Sequence, residues 1–252
     1  MAPDDVYPAV IDHNYDELYA VIRDPSGDAE FYRRMAHATG GPVLELGCGT
    51  GRILLPIARD GIACVGLDAS PTMLDVLRAK APPPNLEVVS GRMEQFDLGD
   101  RRFPLITMPF RAMSHLLEVE TQLAALACIR RHLAPGGIFA FDVFDPKLDR
   151  IALAREPEHL SAKFVHQGVE IRRWDSVERD HSRQLMKIRF RFEGGPPASS
   201  GVGEVRMRWF YRFELEHLLV RAGFTRLTFF GGFDGRPWRA GGETIVFAET
   251  GD

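Results

Sequence analysis

Short apolar runs alternate with stretches of helical period between residues 42 and 143. This alternation predicts a parallel sheet whose strands are joined by helices packed on its faces. The predicted strands cover residues 42–46, 63–67, 86–89, 105–108 and 138–143, and the predicted helices cover residues 53–59, 70–80 and 119–133. The second helix has a clear start, because Ser70 can accept from its free N–H groups and Pro71 suits the first helical position.

Residues 144–213 separate the fifth strand from the next predicted helix, at 214–222. A plain alternating fold uses much shorter connections, so this segment is interpreted as an insertion. Apolar and charged positions alternate along 187–192 and 205–212, on either side of the Gly- and Pro-rich stretch 194–201. Such alternation predicts antiparallel strands with one face in water.

The chain ends with two more predicted strands, at 227–230 and 244–248. We therefore expect an α/β fold with three parts. They are an N-terminal helical segment (1–41), a core (42–143 and 214–252) and an inserted antiparallel β cap (144–213).

The composition fits one domain with an inserted segment, since 45% of the 252 residues are apolar and 26% are charged. A net charge of -4 argues against a binder that depends on bulk positive charge. Cys48, Cys64 and Cys128 contain no CxxC pair and predict neither a disulfide framework nor a zinc site. The histidines are scattered without carboxylate partners, so no metal site is predicted.

The first ten residues are acidic and lack a charged-then-apolar leader. No stretch approaches the roughly 18 apolar residues that a membrane-spanning helix requires. We therefore expect a cytoplasmic protein that does not contact membranes. The oligomeric state stays open, a homodimer included.

The most informative segment is VLELGCGTGR at 43–52, in which an apolar strand runs into three alternating glycines and then a helix. Glycine removes the Cβ that would hold a ligand away, and the following helix offers free N–H groups. The spacing GxGxG differs from the GxGxxG of dinucleotide-binding loops, which counts against NAD. Glu45 precedes the first glycine, an unusual place for a carboxylate unless it accepts from the loop or from a cationic ligand.

Asp68 ends the second predicted strand, about 20 residues after Gly47, which is the place of the ribose-binding acid in dinucleotide folds. A carboxylate there can accept from both hydroxyls of a nucleoside, so a ligand that contains adenosine or a similar group is predicted. The alternative is that Asp68 only caps the next helix.

Together VLELGCGTGR, GLDASPTML and LAPGGIFAFDV resemble the class I S-adenosylmethionine-dependent methyltransferases over residues 42–143. The resemblance implies a Rossmann-like seven-stranded sheet of order 3-2-1-4-5-7-6, in which only the last strand is antiparallel. It also implies the donor S-adenosyl-L-methionine and the product S-adenosyl-L-homocysteine.

The resemblance further implies a set of donor-binding residues. They are Glu45, Gly47, Cys48, Gly49 and Gly51 for the methionine part, Asp68 for the ribose, Ala69, Met73, Arg92 and Met93 for the adenine, and Tyr19 and Pro109 beside them. Many relatives carry an acid where this chain has Ser90-Gly91-Arg92-Met93, so the adenine contact departs from the family pattern.

Methyl transfer from a sulfonium requires alignment and the exclusion of water more than a protein nucleophile. The segment 109–115 follows the fourth strand and should face the transferred methyl. His115 could act as a base, and Arg111 could bind an anionic substrate group. The alternative is that His115 is an ordinary hydrogen-bonded residue. The segment lacks the Asn-Pro-Pro-Tyr motif, which argues against nucleic-acid amino groups as acceptors.

Aromatic residues on three other segments could wall the acceptor site. With Phe110 and Arg111, the predicted substrate-binding residues are Tyr15, Trp209, Tyr211 and Trp238. Packing in the core is the alternative interpretation of these aromatic side chains.

The predicted function is methyl transfer to an N or O atom of a small molecule, with no nucleic-acid partner. Residues 155–212 hold twelve basic and eight acidic side chains, which favours the solvated face of a sheet over a surface that attracts an acidic substrate. A contact surface for RNA or protein is a further alternative. An NAD(P)-dependent oxidoreductase and a non-catalytic module that binds the nucleoside are the remaining alternatives.

Overall fold

The computed structural model describes residues 14–22, 27–195 and 200–251. The expectation that no leader is present concerns residues 1–10, which lie outside these ranges, as do residues 196–199 of the predicted linker. No helix within the described ranges is both long and apolar enough to cross a lipid bilayer.

A seven-stranded sheet forms the centre of the fold, with the strand order β3-β2-β1-β4-β5-β11-β10. Strand β11 runs antiparallel to both of its neighbours, and the other pairs are parallel. This is the predicted order and direction, which confirms the predicted fold class. The strands are β1 (Val43–Leu46), β2 (Cys64–Asp68), β3 (Leu86–Ser90), β4 (Phe103–Met108), β5 (Leu133–Phe144), β10 (Arg226–Phe230) and β11 (Glu243–Glu249).

Seven α-helices and one 3₁₀ turn are described. They are α1 (Tyr15–Ile22), α2 (Asp28–Thr39), α3 (Leu54–Arg59), α4 (Pro71–Ala79), the 3₁₀ turn (Ala112–His115), α5 (Val119–His132), α6 (Leu148–Ile151) and α7 (Arg212–Arg221). Helix α4 begins as its sequence predicts, because the Met73 N–H donates to Ser70 Oγ (3.3 Å) and Pro71 occupies the first turn.

Side chains of alternating positions in the strands enter two separate cores. Leu44 and Leu46 pack with α5 and α7 on one face of the sheet. Val43 packs with α2, α3 and α4 on the other face. Because side chains alternate along a strand, Glu45 points to the same face as Val43. A carboxylate therefore lies beneath the helices that begin at the glycine loop.

A second, four-stranded antiparallel sheet, the cap sheet, has the order β6-β7-β8-β9. Its strands are β6 (Arg155–His166), β7 (Val169–Asp180), β8 (Leu185–Glu193) and β9 (Gly201–Arg208). One face buries Phe164, Phe190 and Val205. Basic residues elsewhere on the sheet pair with carboxylates, as in Arg191–Glu158 at 2.6 Å.

The last cap strand is shorter than the alternation along 205–212 predicts. It ends at Arg208, and Tyr211 already caps α7 through a reciprocal box with Glu214. The prediction that Trp209 and Tyr211 continue the strand is therefore wrong. The capping box ends the extended pattern, because the Tyr211 backbone N–H donates to Glu214 Oε2 (3.3 Å).

Helix α1 connects the cap sheet to the core. Asp16 accepts from the Thr50 hydroxyl (2.6 Å) and pairs with Lys80 (2.5 Å), so one side of α1 contacts the glycine loop. Glu17 pairs with His166 of the cap sheet at 2.9 Å. The helix thereby lies over the edge of the core at which the glycine loop emerges.

Candidate functional site

The glycine loop has a backbone conformation that favours glycine at three alternate positions. Gly47, Gly49 and Gly51 have φ values of +70°, +53° and +80°. A Cβ on Gly51 would lie 2.3 Å from Leu77 Cδ1, so that glycine permits close packing. At Gly49 the nearest heavy atom would be Met73 Sδ at 4.0 Å, which leaves its backbone open to a ligand.

Asp68 ties the glycine loop to the start of α4. Its Oδ2 accepts from the Gly49 N–H and its Oδ1 from the Ser70 N–H, both at 2.8 Å. Burial raises the pKa of this carboxyl group above its ordinary value, and the backbone hydrogen bonds oppose that shift. Asp68 also lines a pocket, so its carboxylate can meet a ligand while it orders the loop.

Glu45 is a buried carboxyl group with unmet hydrogen-bonding capacity. It is 1% exposed, and its Oε2 has no hydrogen-bond partner in the part of the chain that the structure describes. Burial raises its pKa well above the ordinary value, against the opposing charge of Arg52. A buried acceptor without a donor is costly, so a ligand group that donates to it would relieve that cost.

The backbone turn after β4 has an uncommon conformation. Phe110 and Arg111 have φ values of +57° and +61°, in the left-handed region that residues other than glycine seldom adopt. Each such residue costs about 1–3 kcal/mol and persists only where its surroundings hold it. The Phe110 N–H donates to Asp142 Oδ1 at 2.8 Å, which supplies part of that restraint.

These elements enclose the glycine-loop pocket, a cleft of about 730 Å³ including its open mouth. It is lined by Tyr15, Gly47, Gly49, Asp68, Ala69, Met73, Arg92, Met93, Glu94, Pro109, Phe110, Ala112, His115 and Leu116. The sequence predicted most of these residues and missed Glu94, Ala112 and Leu116. Glu94 pairs with Arg92 at 2.5 Å, and only its place after the third strand could have drawn attention to it.

Four predicted donor-binding residues are not among those that line the pocket: Tyr19, Glu45, Cys48 and Gly51. The Tyr19 ring packs on the Phe110 ring with centroids 4.5 Å apart, and its hydroxyl hydrogen-bonds Arg173. Cys48 packs tightly against β2, since a Cβ on Gly66 would lie 2.9 Å from its Sγ. Burial raises the pKa of the Cys48 thiol well above its ordinary value, so it stays protonated and is a poor nucleophile.

Arg111 is engaged within the protein. Its guanidinium pairs with Glu243 at 2.8 Å and lies 5.2 Å from the centroid of the Phe144 ring. A substrate anion would have to share or replace the Glu243 carboxylate. The structure does not place Arg111 among the residues that line the glycine-loop pocket.

The three predicted cap and loop aromatics do not line the glycine-loop pocket. Trp209 is 2% exposed and belongs to the apolar cluster between cap and core. Tyr211 caps α7, and its side chain is partly exposed. The Trp238 indole N–H donates to the Thr244 hydroxyl at 2.9 Å, and its ring stacks with Arg212.

His115 stands at the junction of two cavities. It lines the glycine-loop pocket and a second cleft, the cap pocket, together with Arg92, Glu94 and Leu116. The cap pocket continues toward Glu204 and Arg206 of β9. Burial lowers the pKa of His115 to about 4, against a hydrogen bond with the Arg206 backbone that favours the charged form. The imidazole is therefore neutral near pH 7.

Asp142 lies beside the site, behind the Phe110 turn, and was not among the predicted site residues. It is fully buried and accepts from the Tyr32 hydroxyl as well as from the Phe110 N–H. The sequence feature that could have indicated this residue is an acid inside the otherwise apolar strand segment IFAFDV. Within the ranges 14–22, 27–195 and 200–251, no three histidine, cysteine or acidic side chains converge to hold a metal ion.

Comparisons with known proteins show that the core is similar to methyltransferases. A family model described as a methyltransferase domain matches residues 43–137. A cypemycin N-terminal methyltransferase from Streptomyces sp is 32% identical over 146 residues, which are 58% of this chain and 59% of that protein. A dTDP-3-amino-3,4,6-trideoxy-alpha-D-glucopyranose N,N-dimethyltransferase from Streptomyces venezuelae is 33% identical over 96 residues, 38% of this chain and 39% of that protein.

The chain thus spans less than two thirds of the length of both curated relatives. Likeness to solved structures extends further. The S-adenosylmethionine-bound CalS10, an amino pentose methyltransferase from Micromonospora echinaspora, superposes with a TM-score of 0.65 at 25% identity, over 90% of this chain and 91% of its own. The similarity therefore includes the cap sheet as well as the core.

Proposed function

We propose that this chain is a class I S-adenosylmethionine-dependent methyltransferase that transfers a methyl group to an amine nitrogen of a small molecule. The observation that carries the proposal is the glycine-loop pocket, where open backbone at Gly49, the Asp68 carboxylate and the Phe110 turn line one cavity. All three lie at the carboxyl edge of the parallel strands, where open α/β sheets bind ligands.

The residues present fit the donor S-adenosylmethionine. Glu45 Oε2, buried and without a partner among the described residues, suits the α-ammonium of a methionine moiety. Each Asp68 oxygen accepts one backbone N–H and retains capacity to accept a ribose hydroxyl. Ala69, Met73 and Leu116 supply apolar surface for a purine ring.

When bound, this donor would supply a methyl group bonded to a positively charged sulfur, and an incoming nitrogen would take that methyl group by displacing the sulfur, without a protein nucleophile. The chain then has to orient the acceptor and keep water out. Tyr15 and Phe110 wall the glycine-loop pocket in an edge-to-face arrangement 6.3 Å apart, and Tyr19 packs behind them.

An amine acceptor is favoured by the relatives and by the local chemistry. The names of the three similar proteins specify an N-terminal methyltransferase, an N,N-dimethyltransferase of an amino sugar and an amino pentose methyltransferase. An apolar aromatic wall disfavours charge on an amine and so keeps its lone pair available. A macromolecular acceptor is less favoured, because basic residues of the cap sheet such as Arg191 and Lys187 already pair with carboxylates.

The test is transfer of a labelled methyl group to paired acceptors. Amino sugars, nucleotide-linked amino sugars and peptides with a free N-terminus are each offered beside the analogue that carries a hydroxyl in place of the amine. We expect at least one amine to gain the label and its hydroxyl partner to gain none. Transfer only to hydroxyl analogues would overturn the nitrogen assignment. Donor binding without turnover on any acceptor would favour the non-catalytic module.

Replacement of His115 by alanine is expected to lower turnover more than donor affinity. The ring reaches both clefts and is neutral near pH 7, so one nitrogen can accept a proton from the acceptor amine. Because its pKa is about 4, the wild-type rate should show no loss from His115 protonation between pH 8 and about pH 5. Rates across this range, with exposed His217→Ala as the control, check the role. Equal turnover in His115→Ala would remove it from the mechanism.

A further inference from the structure

Asp142 is placed to act on the site without lining it. It lies near the carboxyl end of strand β5, is fully buried, and is the acceptor in two hydrogen bonds from different elements. The Phe110 N–H and the Tyr32 hydroxyl both donate to its Oδ1 at 2.8 Å. One carboxylate oxygen thus joins β5, the turn after β4 and helix α2.

The group that Asp142 holds is the uncommon turn at Phe110 and Arg111, whose left-handed φ values make it costly unless external contacts restrain it. A hydrogen bond to the Phe110 N–H acts directly on the backbone of that turn. The conformation matters because it directs the Phe110 ring into the glycine-loop pocket and the Arg111 guanidinium toward Glu243.

The Phe110 ring also packs against two tyrosine rings of helix α1. Its centroid lies 6.3 Å from that of Tyr15 and 4.5 Å from that of Tyr19. A change in the turn would therefore move an aromatic wall shared by the pocket and helix α1. The glycine loop is held separately by β2, because the Gly47 and Cys48 N–H groups donate to the Leu67 carbonyl (2.8 and 3.1 Å) and the Gly49 N–H donates to Asp68.

We propose that Asp142 is a positioning residue for methyl transfer. It holds the Phe110–Arg111 turn so that the Phe110 ring shapes the end of the glycine-loop pocket at which the methyl group is transferred. The proposal rests on the methyltransferase function proposed above. Donor binding and alignment of the acceptor then depend on different groups. The donor is bound mainly by the glycine loop, Glu45 and Asp68, whereas alignment of the acceptor depends on the turn.

The test compares Asp142→Ala with Asp142→Asn. Asparagine keeps an oxygen that can accept from both donors, so we expect kcat within about threefold of wild type. Alanine removes the acceptor, so we expect kcat to fall at least about tenfold while the Kd for S-adenosyl-L-homocysteine stays within about threefold. Asp142→Ser is measured beside the alanine variant. Its side chain fills part of the space but is too short to accept from the Phe110 N–H.

Amide hydrogen exchange at Phe110 gives a second readout that needs no acceptor. We expect faster exchange in the alanine and serine variants and wild-type protection in the asparagine variant. Unchanged exchange in all variants overturns the proposal. So does an equal loss of kcat, donor affinity and thermal stability, which would mark a general structural role. If the wild type methylates no acceptor, the proposed function fails, and the exchange data still decide whether Asp142 holds the turn.

Discussion

Glu45→Gln is expected to weaken donor binding by about 10- to 100-fold and, in the same protein, to stabilise the free form at neutral pH. The loss follows because a carboxylate that meets an ammonium becomes a neutral amide, and a hydrogen bond to a charged group contributes about 1.5–3 kcal/mol. Calorimetric titration with S-adenosyl-L-homocysteine measures it. An unchanged Kd would show that the methionine end is held elsewhere.

The gain in stability follows from the direction of the Glu45 pKa shift. Burial raises its pKa in the folded protein, so the contribution to stability is complete below the ordinary carboxyl pKa and is lost as the pH rises through the folded value. Glutamine has no such titration. The variant should therefore match the wild type near pH 4 and exceed it in free energy of unfolding at pH 7, as denaturant titrations at both pH values would reveal.

Proton release provides an independent check on Glu45. A donor ammonium at Oε2 favours the carboxylate, so binding should release more protons from the wild type than from Glu45→Gln. Calorimetry in buffers of different ionisation enthalpy measures the release. Thr107→Val is the matched control, because Thr107 pairs with Glu45 in register and its buried hydroxyl has no partner among the described residues. Release should persist in that variant.

The parts of the site that the sequence predicted are those fixed by local backbone requirements. Three alternating glycines need positive φ or close approach whatever the surroundings, and Asp68 follows its strand directly. The capped start of α4 is local in the same sense. For this reason the glycine loop and the first turn of α4 agree with expectation, whereas the expected order of the core strands came from the family resemblance.

The parts that the sequence did not predict depend on contacts between distant segments. Asp142 gains its role only because β5 lies beside β4, which brings its carboxylate to the Phe110 N–H. Arg111 pairs with Glu243, far along the chain, and no local pattern specifies that partner. Alternation likewise cannot show where β9 ends, since the capping residue Glu214 lies beyond the alternating stretch.

Replacement of Asp68 by alanine is the second change with a large expected effect, a loss of about 1–3 kcal/mol in donor binding, or roughly 5- to 150-fold in Kd. Two causes act together. The pocket loses the acceptor proposed for the ribose hydroxyls, and the Gly49 and Ser70 N–H groups lose the carboxylate that orders the loop. Calorimetry with S-adenosyl-L-homocysteine gives the total.

The two causes can be separated with a donor analogue that lacks one ribose hydroxyl. If Asp68 accepts from the ribose, the wild type should bind the deoxy analogue more weakly than the parent compound, and Asp68→Ala should distinguish them much less. If Asp68 only orders the loop, both proteins should discriminate equally, and the ribose assignment would fail. Asp75→Ala, which changes an exposed acid on the neighbouring helix α4, should leave both affinities unchanged.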